Sequence, residues 1–307
     1  MLPRLVIVGP TASGKSDLAM RLVRELGAAE LLCVDSMTVY RGMDVGTAKP
    51  SASERAEVVH HGLDLVDPDV DFSVAEFQRY ADAVSVQAHA RGKQLVLAGG
   101  TGLYIDAVVN RFTMPSQYPD VRGVLLAEME SDGIASLYAR LVELDPDAAA
   151  RMEPNNDRRI VRALEVCVGS GRQFSSFGPG LQATRNNSEV DAPVMLGVLW
   201  PREELRTRIE HRFGRQLANG FVDEASALRR NFGDRISRTA RQALGYRELW
   251  GHLDGASTLD EAIELAVVRT RQFAVRQERW FRRDPRIRWL TPAEALSLSA
   301  AELLDSH

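Results

Sequence analysis

Lysine is nearly missing from this chain: of 38 basic residues in 307, only Lys15, Lys49 and Lys93 are lysines, and the rest are arginines. Genomic base composition alone could produce that bias. It still leaves many planar guanidinium forks suited to phosphates and to stacking on bases. Cysteine is scarce as well. Cys33 and Cys167 stand far apart without a C-x-x-C, which argues against a disulfide framework and a structural zinc site and suggests core thiols in a reducing compartment. No run of 18 apolar residues occurs and the N-terminus leads straight into a strand, so neither a membrane span nor a signal peptide is expected. A net charge of −4 argues against a uniformly basic nucleic-acid binder, yet Arg269, Arg271, Arg276, Arg279, Arg282, Arg283, Arg286 and Arg288 crowd near the end against only Glu278 and Asp284. With 45% hydrophobic residues, the chain can bury one large core or two smaller ones.

The most specific feature present is Gly9-Pro10-Thr11-Ala12-Ser13-Gly14-Lys15-Ser16, a complete G-x-x-x-x-G-K-[ST] loop. It follows the β-branched run Arg4–Val8 and precedes Asp17–Val23, whose apolar spacing is helical. Strand, loop and helix make an anion cradle from backbone N–H groups and a helix N-terminus. Lys15 adds a point charge, and the Ser16 hydroxyl can ligate Mg²⁺. The loop predicts a bound di- or triphosphate without naming its owner.

Two more strands are legible, Leu31–Val34 ending at Asp35 and Gln94–Ala98 ending at Gly99-Gly100-Thr101-Gly102, with a helix over 74–90 between them. Three strand ends followed by loops point to one crevice. From about Phe112 the pattern turns helical, with Ile134–Leu144 and Arg158–Val168 separated by Asp145-Pro146, Glu153-Pro154 and a glycine-rich 169–180 stretch. Segment 181–191 is expected to be a mobile loop, and Val194–Trp200 returns as a strand. The expected architecture is α/β: a P-loop NTPase-like core of parallel sheet flanked by helices (1–111 and 193–307), carrying a mostly helical insertion domain over 112–192.

Asp35 leaves a buried strand beside the cradle. It could hold Mg²⁺, act as a general base, or cap a following helix. The glycines at 99–102 allow either close approach of a ligand to backbone or a tight turn. Near the end, Arg269, Gln272, Arg276, Arg279 and Arg283 share one helical face, beside a stripe of Ala266, Phe273, Gln277 and Trp280. A similar ladder, Arg158-Arg159-Ile160-Val161-Arg162, opens a helix in the insertion. Such faces suit an RNA backbone, or are simply solvated.

These blocks together resemble the bacterial tRNA dimethylallyltransferases. The resemblance spans essentially the whole chain: Gly9–Ser16, Asp35–Pro50, His60-His61 to Asp67-Pro68, Phe72–Phe77, Gly99–Tyr104, Arg158–Val166, Gln242–Glu248 and Thr270–Gln277. It implies transfer of the dimethylallyl group from dimethylallyl diphosphate to N6 of adenosine 37 of tRNA, beside the anticodon, in tRNAs reading codons that begin with U. By that resemblance Asp35 is the base, Thr101 positions the reacting groups and Lys15 stabilises the leaving diphosphate. The diphosphate would sit on Gly9, Pro10, Thr11, Ala12, Ser13, Gly14, Lys15 and Ser16 with Mg²⁺, helped by Arg208 or Arg212. Contacts to the tRNA anticodon stem-loop are implied for Asp35, Ser36, Met37, Thr38, Thr101, Gly123, Arg158, Arg159, Ile160, Val161, Arg162, Arg241, Gln242, Gly245, Tyr246, Arg247, Arg276, Arg279 and Arg283. A cytoplasmic monomer is expected.

The chain departs from the family pattern at Thr38, where glutamine is common, and at Asn156, where aspartate is usual. Threonine cannot pair with two edges of adenine, which shifts adenine recognition towards Ser36 or a backbone group. Three other readings share part of the sequence logic: an adenylate isopentenyltransferase acting on free AMP, a small-molecule P-loop kinase, and a non-catalytic RNA-binding protein using the loop as a nucleotide sensor.

Overall fold

Residues 3–112, 114–177 and 193–304 are described by the structure, a computed structural model. The expected mobile loop at 181–191 and the end of the 169–180 glycine stretch lie outside them. Chain contacts divide the protein into two compact units, Met1–Asn110 with Ser188–His307, and Arg111–Asn187.

The first unit is built on a six-stranded sheet of β1 (Leu5–Val8), β2 (Ala29–Val34), β3 (His60–His61), β4 (Gln94–Gly99), β5 (Val194–Val198) and β6 (Ile287–Leu290) in the order β3-β2-β4-β1-β5-β6. Every pairing is parallel. A parallel sheet covered on both faces needs strands apolar on both sides, which is why β1 reads as an uninterrupted Leu-Val-Ile-Val run. Its alternate side chains feed two cores: Val6 and Val8 join Leu32, Val34, Leu95 and Leu97 on one face. Leu5 and Ile7 join Leu31, Val96 and Leu196 on the other.

The helices follow in chain order. They begin with α1 (Lys15–Leu26), α2 (Ala52–Glu57), α3 (Val74–Ala90) and α4 (Gly102–Asn110). The second unit holds α5 (Pro119–Asp132), α6 (Ile134–Leu144), α7 (Pro146–Ala149) and α8 (Asp157–Ser170). Back in the first unit come α9 (Arg202–Ala218), α10 (Phe221–Phe232), α11 (Tyr246–Leu253), α12 (Leu259–Phe281), α13 (Pro292–Ser297) and α14 (Ala300–Leu304). Local signals set their ends. Ser73 and Glu76 close a capping box on α3, and Gly27, at φ 64°, terminates α1. The second unit closes its own core, with Leu125, Leu137, Leu141, Ile160 and Leu164 buried between α5, α6 and α8.

Register decides where the chemistry falls. Val8 of β1 and Val34 of β2 both stand opposite Gly99 of β4. The three chain segments that leave these strands, Gly9, Asp35 and Gly100, therefore emerge in one row. Neighbouring strands are about 4.8 Å apart, so the segments after β1 and β2 open about 10 Å from each other with the β4 loop between them.

Candidate active site

The 9–16 loop wraps into the cradle its composition requires. Gly9 (φ 155°), Ala12 (φ 62°) and Gly14 (φ 86°) take positive φ, which turns the backbone amides inward and starts α1 at Lys15. Not every amide is open to a ligand. The Thr11 N–H donates to Gln277 Oε1 at 2.8 Å and the Ser13 N–H to the Pro10 carbonyl at 3.3 Å. Ser13 Oγ is buried without a hydrogen-bond partner. Lys15 Nζ rests on the Pro10 carbonyl at 3.2 Å. Burial first, then the Arg212 guanidinium, lowers its ammonium to about 8, against an opposing pull from Asp35.

Helix α9 brings three polar side chains to this loop and its neighbour at i, i+4 and i+8, one face of a helix. Arg208 Nε donates to the Ala12 carbonyl (2.8 Å), and its guanidinium lies 4.1 Å from the Trp200 ring centroid. Arg212 donates to Thr11 Oγ1 (3.1 Å) and the Thr47 carbonyl (3.3 Å), and burial lowers its pKa while Asp35 opposes. Gln216 Nε2 donates to the carbonyls of Val45 and Gly46. Both candidate arginines thus reach the cradle. Trp200 adds a hydrogen bond from its indole to the Ser13 carbonyl, 2.7 Å.

In the segment after β2, Asp35 Oδ1 accepts the Met37 N–H at 2.8 Å. That closes a local turn. The segment that follows is not helical until α2, which Ser51 caps, so the helix-cap reading of Asp35 does not hold. Thr101 Oγ1 accepts the Ser36 N–H (3.0 Å) and donates towards Ser36 Oγ (3.4 Å), joining the β4 loop to the residue after Asp35. Thr38 is buried, and its hydroxyl faces the carbonyls of Asp35 and Gly62 at 3.3 Å. Beyond it the chain is clamped. Glu224 accepts the N–H groups of Asp44, Val45 and Gly46 and the Tyr246 hydroxyl, and Lys49 Nζ reaches Asp44, Asp64 and the Tyr40 carbonyl. The result is a cleft of about 970 Å³ whose wall includes Thr11, Lys15, Ser16, Asp35, Arg208 and Arg212. Cys33 packs against the core as expected, half-buried, and also lines this cleft. Burial and Asp35 push that thiol up to about 12, away from reactivity.

This geometry coincides with a known family. A profile described as IPP transferase matches residues 38–284. The chain belongs to the IPP transferase family. It is 44% identical to a tRNA dimethylallyltransferase of Geobacter sulfurreducens, over 96% of this chain and 94% of that one. Among solved structures, the full-length tRNA isopentenylpyrophosphate transferase of Bacillus halodurans is 36% identical, with a TM-score of 0.68 and coverage of 99% of both chains. A eukaryotic dimethylallyltransferase acting on tRNA gives a TM-score of 0.78 at 26% identity, over 97% of this chain and 75% of that one. As a member of this family the protein is an enzyme, and its sheet and loop carry the P-loop-like fold.

The other residues singled out in this family member differ in exposure. Arg158, Arg159, Gly123, Gln242, Arg247, Arg276 and Arg279 are exposed. Arg241 is exposed too but holds its own turn through the Ile236 and Asp234 carbonyls. Arg162 is half-buried, bonded to Glu165 and the Pro115 carbonyl. Ile160, Val161 and Tyr246 are core residues. Gly245 is packed where a Cβ would meet the Phe221 ring. Ile160, Val161 and Tyr246 turn no side chain outwards, because burial of apolar and aromatic surface claims them first. The arginine face also needs correcting. Arg269 is paired with buried Glu248 at 2.5 Å, and Arg283 lies beyond the end of α12. Gln277, read as part of an apolar stripe, is a buried polar link to the cradle. The glycines after β4 answer to packing: a Cβ on Gly102 would strike the Trp280 indole, and one on Gly100 the Gln277 amide.

Proposed function

We propose that this enzyme transfers the dimethylallyl group of dimethylallyl diphosphate to N6 of adenosine 37 in tRNAs reading codons that begin with U, giving N6-dimethylallyladenosine and diphosphate. The observation that carries the reading is one cleft lined by Lys15, Arg208 and Arg212 together with Asp35. Such a wall of cations favours departure of a diphosphate, and an allylic carbon–oxygen bond ionises readily once the leaving charge is neutralised. The bond from carbon to the diphosphate oxygen breaks as the bond to N6 forms, and the proton lost from the exocyclic amine passes to the Asp35 carboxylate. Thr101, tied to Ser36, fixes the backbone that carries Asp35 and thereby where that carboxylate meets the amine.

The donor set suits magnesium. Ser16 lines the cleft as a hard oxygen ligand, and among the described residues no group of three or more His, Cys, Asp or Glu could hold a metal alone. A cation held by Ser16 would add positive charge at the leaving group. Adenine enters from a loop, where unstacking costs least. The exposed Arg158, Arg159, Arg276 and Arg279 would track the RNA backbone. The enzyme acts as a monomer in the cytoplasm under this proposal; among the described residues no helix is long and apolar enough to cross a membrane.

The test is direct. Purified protein is given the C5 donor with either unmodified tRNA or AMP, and the products are read by mass spectrometry. A mass gain on the tRNA nucleoside beside the anticodon supports the proposal. A gain on AMP alone, or phosphoryl transfer from ATP without prenyl transfer, refutes it.

A further inference from the structure

We propose that Gln277 is a positioning residue that holds the donor cradle and the acceptor-side loop in register, an inference that rests on the function proposed above. Its side chain is buried, at 5% exposure. Oε1 accepts the Thr11 N–H at 2.8 Å, and Nε2 donates to the Gly100 carbonyl at 2.8 Å. Thr11 belongs to the loop that faces the diphosphate, and Gly100 precedes Thr101. A single amide therefore spans the two loops whose relative placement sets the approach of amine to allylic carbon. Only a group with one acceptor and one donor end satisfies both partners.

The surroundings keep the amide in place. Gln277 lies on α12 between Ala274 and Phe281, both buried, and the next turn is anchored where Trp280 Nε1 donates to Asp106 Oδ2 at 2.9 Å. Gly100 has no Cβ to displace it. The link also removes the Thr11 amide from the anion's reach, leaving the Ala12 amide and those from Gly14 onward to grip the diphosphate. Small displacements between reacting groups are costly in rate, so loss of the link should appear in turnover before it appears in RNA affinity.

A carboxyl group at this position provides a sharp test. Protonated glutamic acid reproduces both bonds, its carbonyl accepting from Thr11 and its O–H donating to Gly100. The ionised form opposes two oxygens and adds negative charge behind the cradle. For Gln277→Glu, kcat relative to wild type should be down about 100-fold at pH 8.5 and recover to within about fivefold at pH 6, with KM for tRNA within about twofold throughout. Gln277→Met should lose about 30-fold in kcat at both pH values. Thermal unfolding of each variant at both pH values sets an assay temperature at which all remain folded. A Gln277→Glu deficit independent of pH, or Gln277→Met turnover equal to wild type, overturns the positioning role while leaving the proposed function intact. Wild-type protein that does not prenylate tRNA overturns both.

Discussion

Raising the pH from 7 to 9 should weaken binding of dimethylallyl diphosphate about tenfold through one side chain, Lys15. Burial, and then the Arg212 guanidinium, brings its ammonium from 10.5 to about 8 in the free protein. The sign follows from proton counts. Between pH 8 and 10.5 the folded chain binds fewer protons at Lys15 than the unfolded chain, so the charged ammonium costs stability below pH 8 and that cost is relieved as pH rises through the window. A diphosphate beside Lys15 favours the charged form and returns it towards its ordinary value of about 10.4. Linkage then gives an uptake of about 0.1 proton per donor at pH 7 and about 0.7 at pH 8.5. Isothermal titration calorimetry in two buffers of different ionisation enthalpy reads these numbers directly, with RNA omitted so that no turnover occurs. Lys15→Met supplies the baseline, since any uptake left in that variant belongs to the donor itself or to other groups. Equal uptake by wild type and variant at pH 8.5 would refute the reasoning.

Other consequences can be measured alongside. Asp35→Ala should lower turnover by at least about 100-fold with tRNA affinity within about twofold, and a variant that loses binding instead would remove Asp35 from the role of base. Replacing Arg276 and Arg279 together by alanine should weaken tRNA binding and reduce the slope of log affinity against log salt by about 0.9 for each phosphate no longer neutralised; an unchanged slope would return that face to solvent. Glu224→Ala strands three backbone N–H groups and the Tyr246 hydroxyl. About 3 kcal/mol of stability should go with it, read as a lower urea midpoint.

What the sequence made legible is mostly what a short stretch can encode. The cradle, its strand and its helix are contiguous, and the two-faced apolar runs of β2 and β4 identify a covered parallel sheet without tertiary information. The helix Ile134–Leu144 follows directly from its periodicity. Less legible were residues whose role depends on partners hundreds of positions away. Gln277 falls on an otherwise apolar stripe, and only the approach of α12 to Gly100 and Gly102 shows that the helix face was built around an amide. Tyr246 and Ile160 lie inside blocks shared with RNA-modifying enzymes, and position within a block does not say which side chains turn inwards. The ladder on α9 does leave a local trace: Arg208, Arg212 and Gln216 repeat at four-residue spacing beside Leu205, Ile209 and Phe213, a polar row bordering a buried face. The edge strand β3, two residues long, carries no periodicity to read.

The Thr11–Gln277 bond joins positions 266 residues apart. A ribosome elongating at roughly 5–20 residues per second needs some tens of seconds to cover that distance. The phosphate loop thus leaves the exit tunnel well before its α12 anchor does. Throughout that interval a nascent chain owns every residue of the loop and lacks the Gln277 amide that accepts the Thr11 N–H. Competence for catalysis is consequently a property acquired only once α12 has been made, and no fragment ending before α12 inherits it.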